Sequence, residues 1–202
     1  MKTRNKAIIL LIPLSVIVLV FFSGDITALL ELDKSAVLTG QYWRLITGHF
    51  THWDLSHLFW DLSAFSIACI VFNKICKRNQ LWSLVAFSAI FISLWIMIFN
   101  PEIYVYRGLS GIDTALFFYI CLNMIIVSVK NKEKIPLVCS MTFGLLIIGK
   151  IAFEVCFGNM LFVSAGSYIP LYSAHIAGVI AGICFFFIEQ RFIVLFFQSD
   201  PH

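Results

Sequence analysis

Apolar residues fall in long blocks along this chain, and polar residues gather between them. The blocks cover residues 7–22, 55–74, 81–99, 109–129, 135–157 and 171–189. Each approaches the roughly 20 residues that a helix needs to cross the hydrocarbon core of a bilayer. In lipid every backbone N–H and C=O must be satisfied within the protein, so such blocks predict helices. Asn100-Pro101 and Arg107-Gly108 separate the third block from the fourth, and residues 158–170 separate the fifth from the sixth. The sixth has a further apolar run, 192–197, suited to the membrane interface. Segment 24–54 differs from all of these. It mixes Asp25, Glu31, Asp33, Lys34 and Arg44 with aromatic residues, which is too polar to span and suits an interface. The predicted architecture is an all-α membrane protein, a bundle of six transmembrane helices forming one domain over residues 1–202.

Composition removes the soluble alternatives. Hydrophobic residues make up 60% of the 202 and charged residues 12%, against about 25% charged in a soluble domain. A basic start followed by an apolar run also has the form of a cleaved signal peptide. The run at 7–22 is long for a signal core and no small-x-small site follows it, so it reads as the first span. Of the 14 Lys and Arg residues, ten lie in segments that are cytoplasmic if the amino end is. Lys34, Arg44 and Arg107 lie in outward segments, and Lys150 lies within the fifth span. That asymmetry predicts both termini in the cytoplasm, with segment 24–54 and the loop before the fourth span facing outward. Topology thus accounts for the basic residues, and no nucleic-acid partner is expected. The cysteines at 69, 76, 121, 139, 156 and 184 sit in or beside apolar runs without CxxC spacing. They read as small apolar fillers rather than a disulfide framework or zinc site.

Ionisable and polar groups inside a span are costly and need a partner or a task. Ser110 stands between two glycines in Gly108-Leu109-Ser110-Gly111, where a loop becomes the fourth span. Alone, this is a serine at a helix start, most often a cap. The same junction offers backbone N–H groups with no helical partner, which can hold an oxyanion if the hydroxyl attacks a carbonyl. His175 lies a few residues into the sixth span, with Gly178 and Gly182 at i+3 and i+7 on its face. Ala174, Gly178 and Gly182 form a small-residue stripe for close helix packing. If the partner is the fourth span, the imidazole reaches the Ser110 hydroxyl and can serve as general base and then general acid. Under the charge argument both residues lie toward the outer side at similar depth.

The stretch WRLITGHFTHWDLSHLFWD, residues 43–61, adds His49, His52, His57 and Asp61. His57 and Asp61 are spaced i, i+4 and share a helical face. A metal site from His52, His57 and Asp61 is one reading, although no HExxH pattern is present. A structural interfacial cluster and a share in an active site are the others. Lys150 and Glu154, also i, i+4, read as an ion pair near the outer water boundary, with a substrate or proton pathway as the alternative. Asp113, three residues past Ser110, is read as tuning His175, capping the helix or facing water, with a direct catalytic part as the minor alternative.

Taken together, WR…T…H…HLFWD, then GLSG, then AHIAGVIAG resemble the rhomboid intramembrane serine proteases, over roughly residues 43–182. The length, the GHFTH stretch and the RGLSGID context most resemble the rhombosortase subfamily. The resemblance implies Ser110 as nucleophile and His175 as base, with no cofactor or metal. It places His57 where the family helps bind the oxyanion, and Asp61 where most members have an asparagine donor. An ionised carboxylate has no donor, so Asp61 would serve protonated or by orienting His57. Gly108 and Gly111 support the oxyanion site; Gly178 and Gly182 serve helix packing. Thr114 stands where many members stack an aromatic on the histidine. Arg44 matches a structural arginine. The implied substrates are transmembrane proteins within the lipid bilayer, through the subfamily the carboxy-terminal sorting segments of exported proteins in a bacterial inner membrane. The active site would face the periplasm. Hydrolysis and transfer of the acyl group to an amine both remain open. The rival expectations are an inactive rhomboid-like protein that binds and chaperones transmembrane segments, and a small transporter.

Overall fold

The computed structural model describes residues 18, 20–76, 78–158 and 171–197. The first predicted span and the loop at 158–170 fall almost wholly outside them. The other five spans are present as helices long and apolar enough to cross a membrane. They are α4 (Leu55–Ile75), α5 (Arg78–Phe99), α6 (Ser110–Asn131), α7 (Lys134–Phe157) and α8 (Tyr172–Phe197). Segment 24–54 folds into short pieces: α1 (Gly24–Leu30), β1 (Leu32–Asp33), α2 (Lys34–Leu38), α3 (Arg44–Thr47) and a 3-10 turn at Gly48–Phe50.

Local chemistry sets the boundaries. The Asp54 carboxylate caps α4 by accepting the His57 N–H at 2.8 Å. Asp33 caps α2 through the Ala36 N–H at 2.9 Å. α6 ends at Lys132, which takes the left-handed conformation with φ of 59°, and α7 follows almost at once. Pro136 is tolerated there because it lies in the first turn of α7, where its missing N–H has no helical partner.

One element was not expected. β1 pairs antiparallel with β2 (Val105–Tyr106), Leu32 opposite Tyr106 and Asp33 opposite Val105. Two-residue strands are too short to leave an alternating pattern in a sequence. The ribbon ties segment 24–54 to the loop that precedes α6. Arg44 reinforces that segment from within: it is buried, and donates to the Ala28 and Glu31 carbonyls at 2.9 and 2.7 Å and to Gln41 Oε1 at 2.8 Å.

α6 is the central helix, with α4, α5, α7 and α8 all packed on it. Lipid tails are as apolar as leucine, so helices associate here by close contact and polar links rather than by escape from water. Tyr119 of α6 is fully buried and stacks on Phe72 of α4 with centroids 5.5 Å apart. Trp95 of α5 donates to Ser173 Oγ at 2.9 Å, and Ser173 donates to Asn100 Oδ1 at 2.8 Å, which pins the start of α8 to the end of α5. α7 is the least embedded span: 11% of its most apolar stretch is buried, against 44% for α6 and α8. The six cysteines are all unpaired.

Candidate active site

The starts of α4, α6 and α8 and the end of α7 meet at one end of the bundle, beside segment 24–54. Ser110 is the first residue of α6. Gly108 has φ of +130°, and a Cβ there would lie 2.8 Å from His57 Nε2; glycine is therefore required both for the turn and for the approach of the imidazole. At Gly111 a Cβ would come within 3.0 Å of the Ala174 carbonyl oxygen. The small residues of α8 answer it. A Cβ at Gly178 would overlap the Gly111 carbonyl oxygen, and one at Gly182 would lie 2.7 Å from that of Ala115. The stripe thus lies directly on α6.

That contact brings His175, 1% exposed, to Ser110: Nε2 lies 3.0 Å from Oγ. The other ring nitrogen, Nδ1, lies 2.7 Å from Glu154 Oε2. Lys150 Nζ lies 2.7 Å from Glu154 Oε1 and 3.3 Å from His175 Nδ1. The expected Lys150–Glu154 ion pair is present. Glu154 is 1% exposed, because its i, i+4 face turns inward toward α8. Sequence reasoning did not include Glu154 in the site. The only signal was an acidic residue within an apolar span at the same end as His175. Thr114 stacks on nothing; its hydroxyl donates to the Ser110 carbonyl at 2.8 Å.

His52, His57 and Asp61 meet around a single oxygen. Asp61 Oδ2 lies 3.3 Å from His52 Nε2, 3.2 Å from His57 Nε2, and accepts the Leu109 N–H at 2.7 Å. An acceptor is what the buried Leu109 N–H requires, so an ionised carboxylate suits this position. This arrangement makes Asp61 an acceptor toward Leu109 and sets it beside both imidazoles. Among the described residues no group of three His, Cys, Asp or Glu side chains is arranged to hold a metal ion. His49 is set apart: its Nε2 lies 3.0 Å from both the Ala89 carbonyl oxygen and Ser93 Oγ of α5. Burial pushes the His49 imidazole down to about 4. Burial also lowers that of His52, against the opposing pull of Asp61. Both rings are neutral at pH 7.

Asp113 faces neither water nor a cap. It is buried, and neither carboxylate oxygen has a hydrogen-bond partner among the described residues. Three contacts missed by sequence reasoning hold the loop before Ser110. Arg107 pairs with Glu31 at 2.5 Å and lies 4.2 Å over the Trp53 ring. Tyr106 donates its hydroxyl to the Gly108 carbonyl at 3.0 Å. A cavity of about 760 Å³ opens beside Ser110 and His175, walled by Trp60 and Ile67 of α4, Phe117 of α6, and Phe143, Leu146 and Phe153 of α7. Its wall is apolar except where it meets the Ser110 end. A nucleophile–base pair at hydrogen-bond distance, helix-start N–H groups that have no partner within the helix and an apolar cavity together suit acyl chemistry on an apolar chain.

A family model described as Rhomboid domain matches residues 39–192. That span includes Ser110, His175, Glu154, His57 and Asp61 and omits Glu31. No curated protein matches the chain.

Proposed function

The chain belongs to the rhomboid family of intramembrane serine proteases and is a multi-pass membrane protein acting on transmembrane substrates, and from that premise we propose how its residues perform the reaction. Ser110 Oγ attacks the scissile carbonyl as its proton passes to His175 Nε2. The Ser110 N–H and His57 hold the oxyanion. The leaving amine takes the proton from Nε2, and water, activated by the same imidazole, releases the acyl group from Ser110. Asp61 keeps the Gly108-Leu109 turn in place by accepting the Leu109 N–H, and Gly108 and Gly111 allow the close approaches around it. The observation that carries this reading is the 3.0 Å separation of Nε2 and Oγ at the mouth of an apolar cavity.

The finer reading is a rhombosortase-like enzyme. Its substrates are exported proteins whose carboxy-terminal segment joins a Gly-rich motif, an apolar span and a basic tail. An apolar span fits the α4–α7 cavity, whose wall offers almost nothing polar away from Ser110. The charge asymmetry favours both termini in the cytoplasm, and on the rhombosortase-like reading the site then faces the periplasm across an inner membrane. Transfer of the acyl group to an amine uses the same residues with an amine in place of water.

The test is labelling of detergent-solubilised protein with a fluorescent fluorophosphonate, beside Ser110→Ala and His175→Ala. Labelling of the wild type that Ser110→Ala abolishes and His175→Ala reduces to a slow residual rate is expected. Labelling that survives Ser110→Ala moves the nucleophile elsewhere and overturns the assignment. Absence of labelling in the wild type favours the inactive segment-binding protein.

A further inference from the structure

We propose that Glu154 is the third member of the catalytic array, a positioning carboxylate that holds His175 in its working tautomer, with Lys150 as its counter-ion. The proposal rests on the Ser110–His175 reading and deepens it.

To accept the Ser110 proton, His175 Nε2 must be bare, so in the neutral ring the proton must sit on Nδ1. Nothing in an isolated imidazole enforces that choice; the partner of the other nitrogen does. Glu154 Oε2 lies 2.7 Å from Nδ1. An ionised carboxylate only accepts, so Nδ1 must donate to it, and Nε2 is left bare toward Ser110. When Nε2 takes the serine proton, the carboxylate faces the imidazolium and stabilises it. Nδ1 keeps its own proton throughout, and Glu154 stays ionised.

A carboxylate that is 1% exposed within a membrane span is costly unless both oxygens are engaged. Here each has its own partner: Oε2 the imidazole, and Oε1 the Lys150 ammonium at 2.7 Å. The spacing i, i+4 on α7 gives Lys150 and Glu154 one face, and that face is the one turned to α8. Lys150 also sharpens the prediction. Its Nζ is 3.3 Å from Nδ1, and an ammonium only donates. With Glu154 present, the carboxylate takes the Nδ1 proton. With it removed, Lys150 is left to donate to Nδ1, which forces the proton onto Nε2 and points an N–H at Ser110 Oγ. Loss of Glu154 therefore selects the wrong tautomer rather than merely loosening the ring.

The experiment measures the rate of fluorophosphonate labelling in full-length, detergent-solubilised protein, with thermal melting of each variant to confirm folding. The variants are Glu154→Gln, Glu154→Gln with Lys150→Met, His175→Ala, and His175→Ala with Glu154→Gln. Glu154→Gln is expected to slow labelling by about 10²–10⁴-fold, the scale of a wrong-tautomer histidine in a serine protease. Adding Lys150→Met is expected to recover about tenfold, a mid-range coupling between touching groups. On top of His175→Ala, Glu154→Gln should cost nothing further, since its effect passes through the imidazole. A merely structural role predicts the opposite: multiplicative loss in the double variant and no recovery with Lys150→Met. Wild-type labelling in folded Glu154→Gln, or that multiplicative pattern, overturns the proposal. Should Glu154→Gln fail to fold, the His175→Ala pair with Glu154→Asp replaces it and carries the same two outcomes. If Ser110→Ala still labels, it is the underlying serine–histidine reading that fails, and the relay with it.

Discussion

Replacing Gly178 by alanine should unseat the active site without touching any of its polar groups. The added Cβ would fall 3.1 Å from Thr114 Cβ and 3.2 Å from the Gly111 carbonyl carbon, and would overlap the Gly111 carbonyl oxygen. Comfortable carbon–carbon contact begins at about 3.5 Å. The opposing atoms are mainly backbone of α6, which has no flexible end to swing aside. The two helices must therefore separate, by several tenths of an ångström to about one ångström at this crossing. His175 is one turn away on the same face of α8, so a rigid helix carries most of that shift to the imidazole. The Nε2–Oγ separation is 3.0 Å, and such a shift carries it past the roughly 3.2 Å limit of a good hydrogen bond. A misplacement of about 1 Å costs on the order of 10²-fold in rate. The overpacking itself costs about 1–3 kcal/mol of stability. The assay is fluorophosphonate labelling rate beside the melting temperature in one detergent. Gly182→Ala, with a Cβ 2.7 Å from the Ala115 carbonyl oxygen but about two turns from His175, should lower the melting temperature while sparing more of the labelling. Gly144→Ala on α7, with nothing within 4 Å of its Cβ, should change neither. If Gly178→Ala labels and melts like the wild type, the small-residue stripe is not what seats His175.

Three further outcomes are expected. Asp61→Ala leaves the buried Leu109 N–H without its acceptor, at a cost of about 1–3 kcal/mol; Asp61→Asn keeps an acceptor, so labelling should fall in the order wild type, Asn, Ala, and an inverted order would refute the acceptor role. The His49 imidazole is lowered to about 4 by burial, so the unfolded chain binds its proton first as pH falls below about 6.5. The stability this neutral ring contributes is full above 6.5 and lost toward pH 4, at up to roughly 1.4 kcal/mol per pH unit. Melting scans should show a shallower decline over that window in His49→Gln than in the wild type, and parallel curves would exclude this source. Arg107→Ala removes a partly buried ion pair with Glu31 and the contact over Trp53, which should lower stability by about 1–2 kcal/mol in the same melting assay, with Glu31→Gln losing less because the ring contact survives.

Five of the spans, their order and the pairing of α6 with α8 were legible because each rests on a signal that accumulates along the chain. Twenty apolar residues in a row mean a crossing whatever their neighbours do, and a four-residue repeat of Ala174, Gly178 and Gly182 can serve little besides a close helix contact. The β1–β2 ribbon and the Arg107–Glu31 pair were not legible, since each joins residues some 75 positions apart and neither element repeats anything. Glu154 shows a subtler limit. Its charge within an apolar span was visible, and so was Lys150 one turn earlier, but a neighbour that satisfies a charge locally removes the reason to look for another. A carboxylate has two oxygens. Lys150 accounts for one, and at 1% exposure the second cannot be left to water, so a third group had to be present on the face turned toward the bundle. Counting lone pairs rather than charges would have asked which donor on α6 or α8 lay at that depth, and the histidine already placed there has a ring nitrogen to spare. Asp113 poses the same question in reverse. Both its oxygens lack partners among the described residues while it lines the cavity beside Ser110, so its carboxyl group is a polar feature of that wall that no described side chain answers.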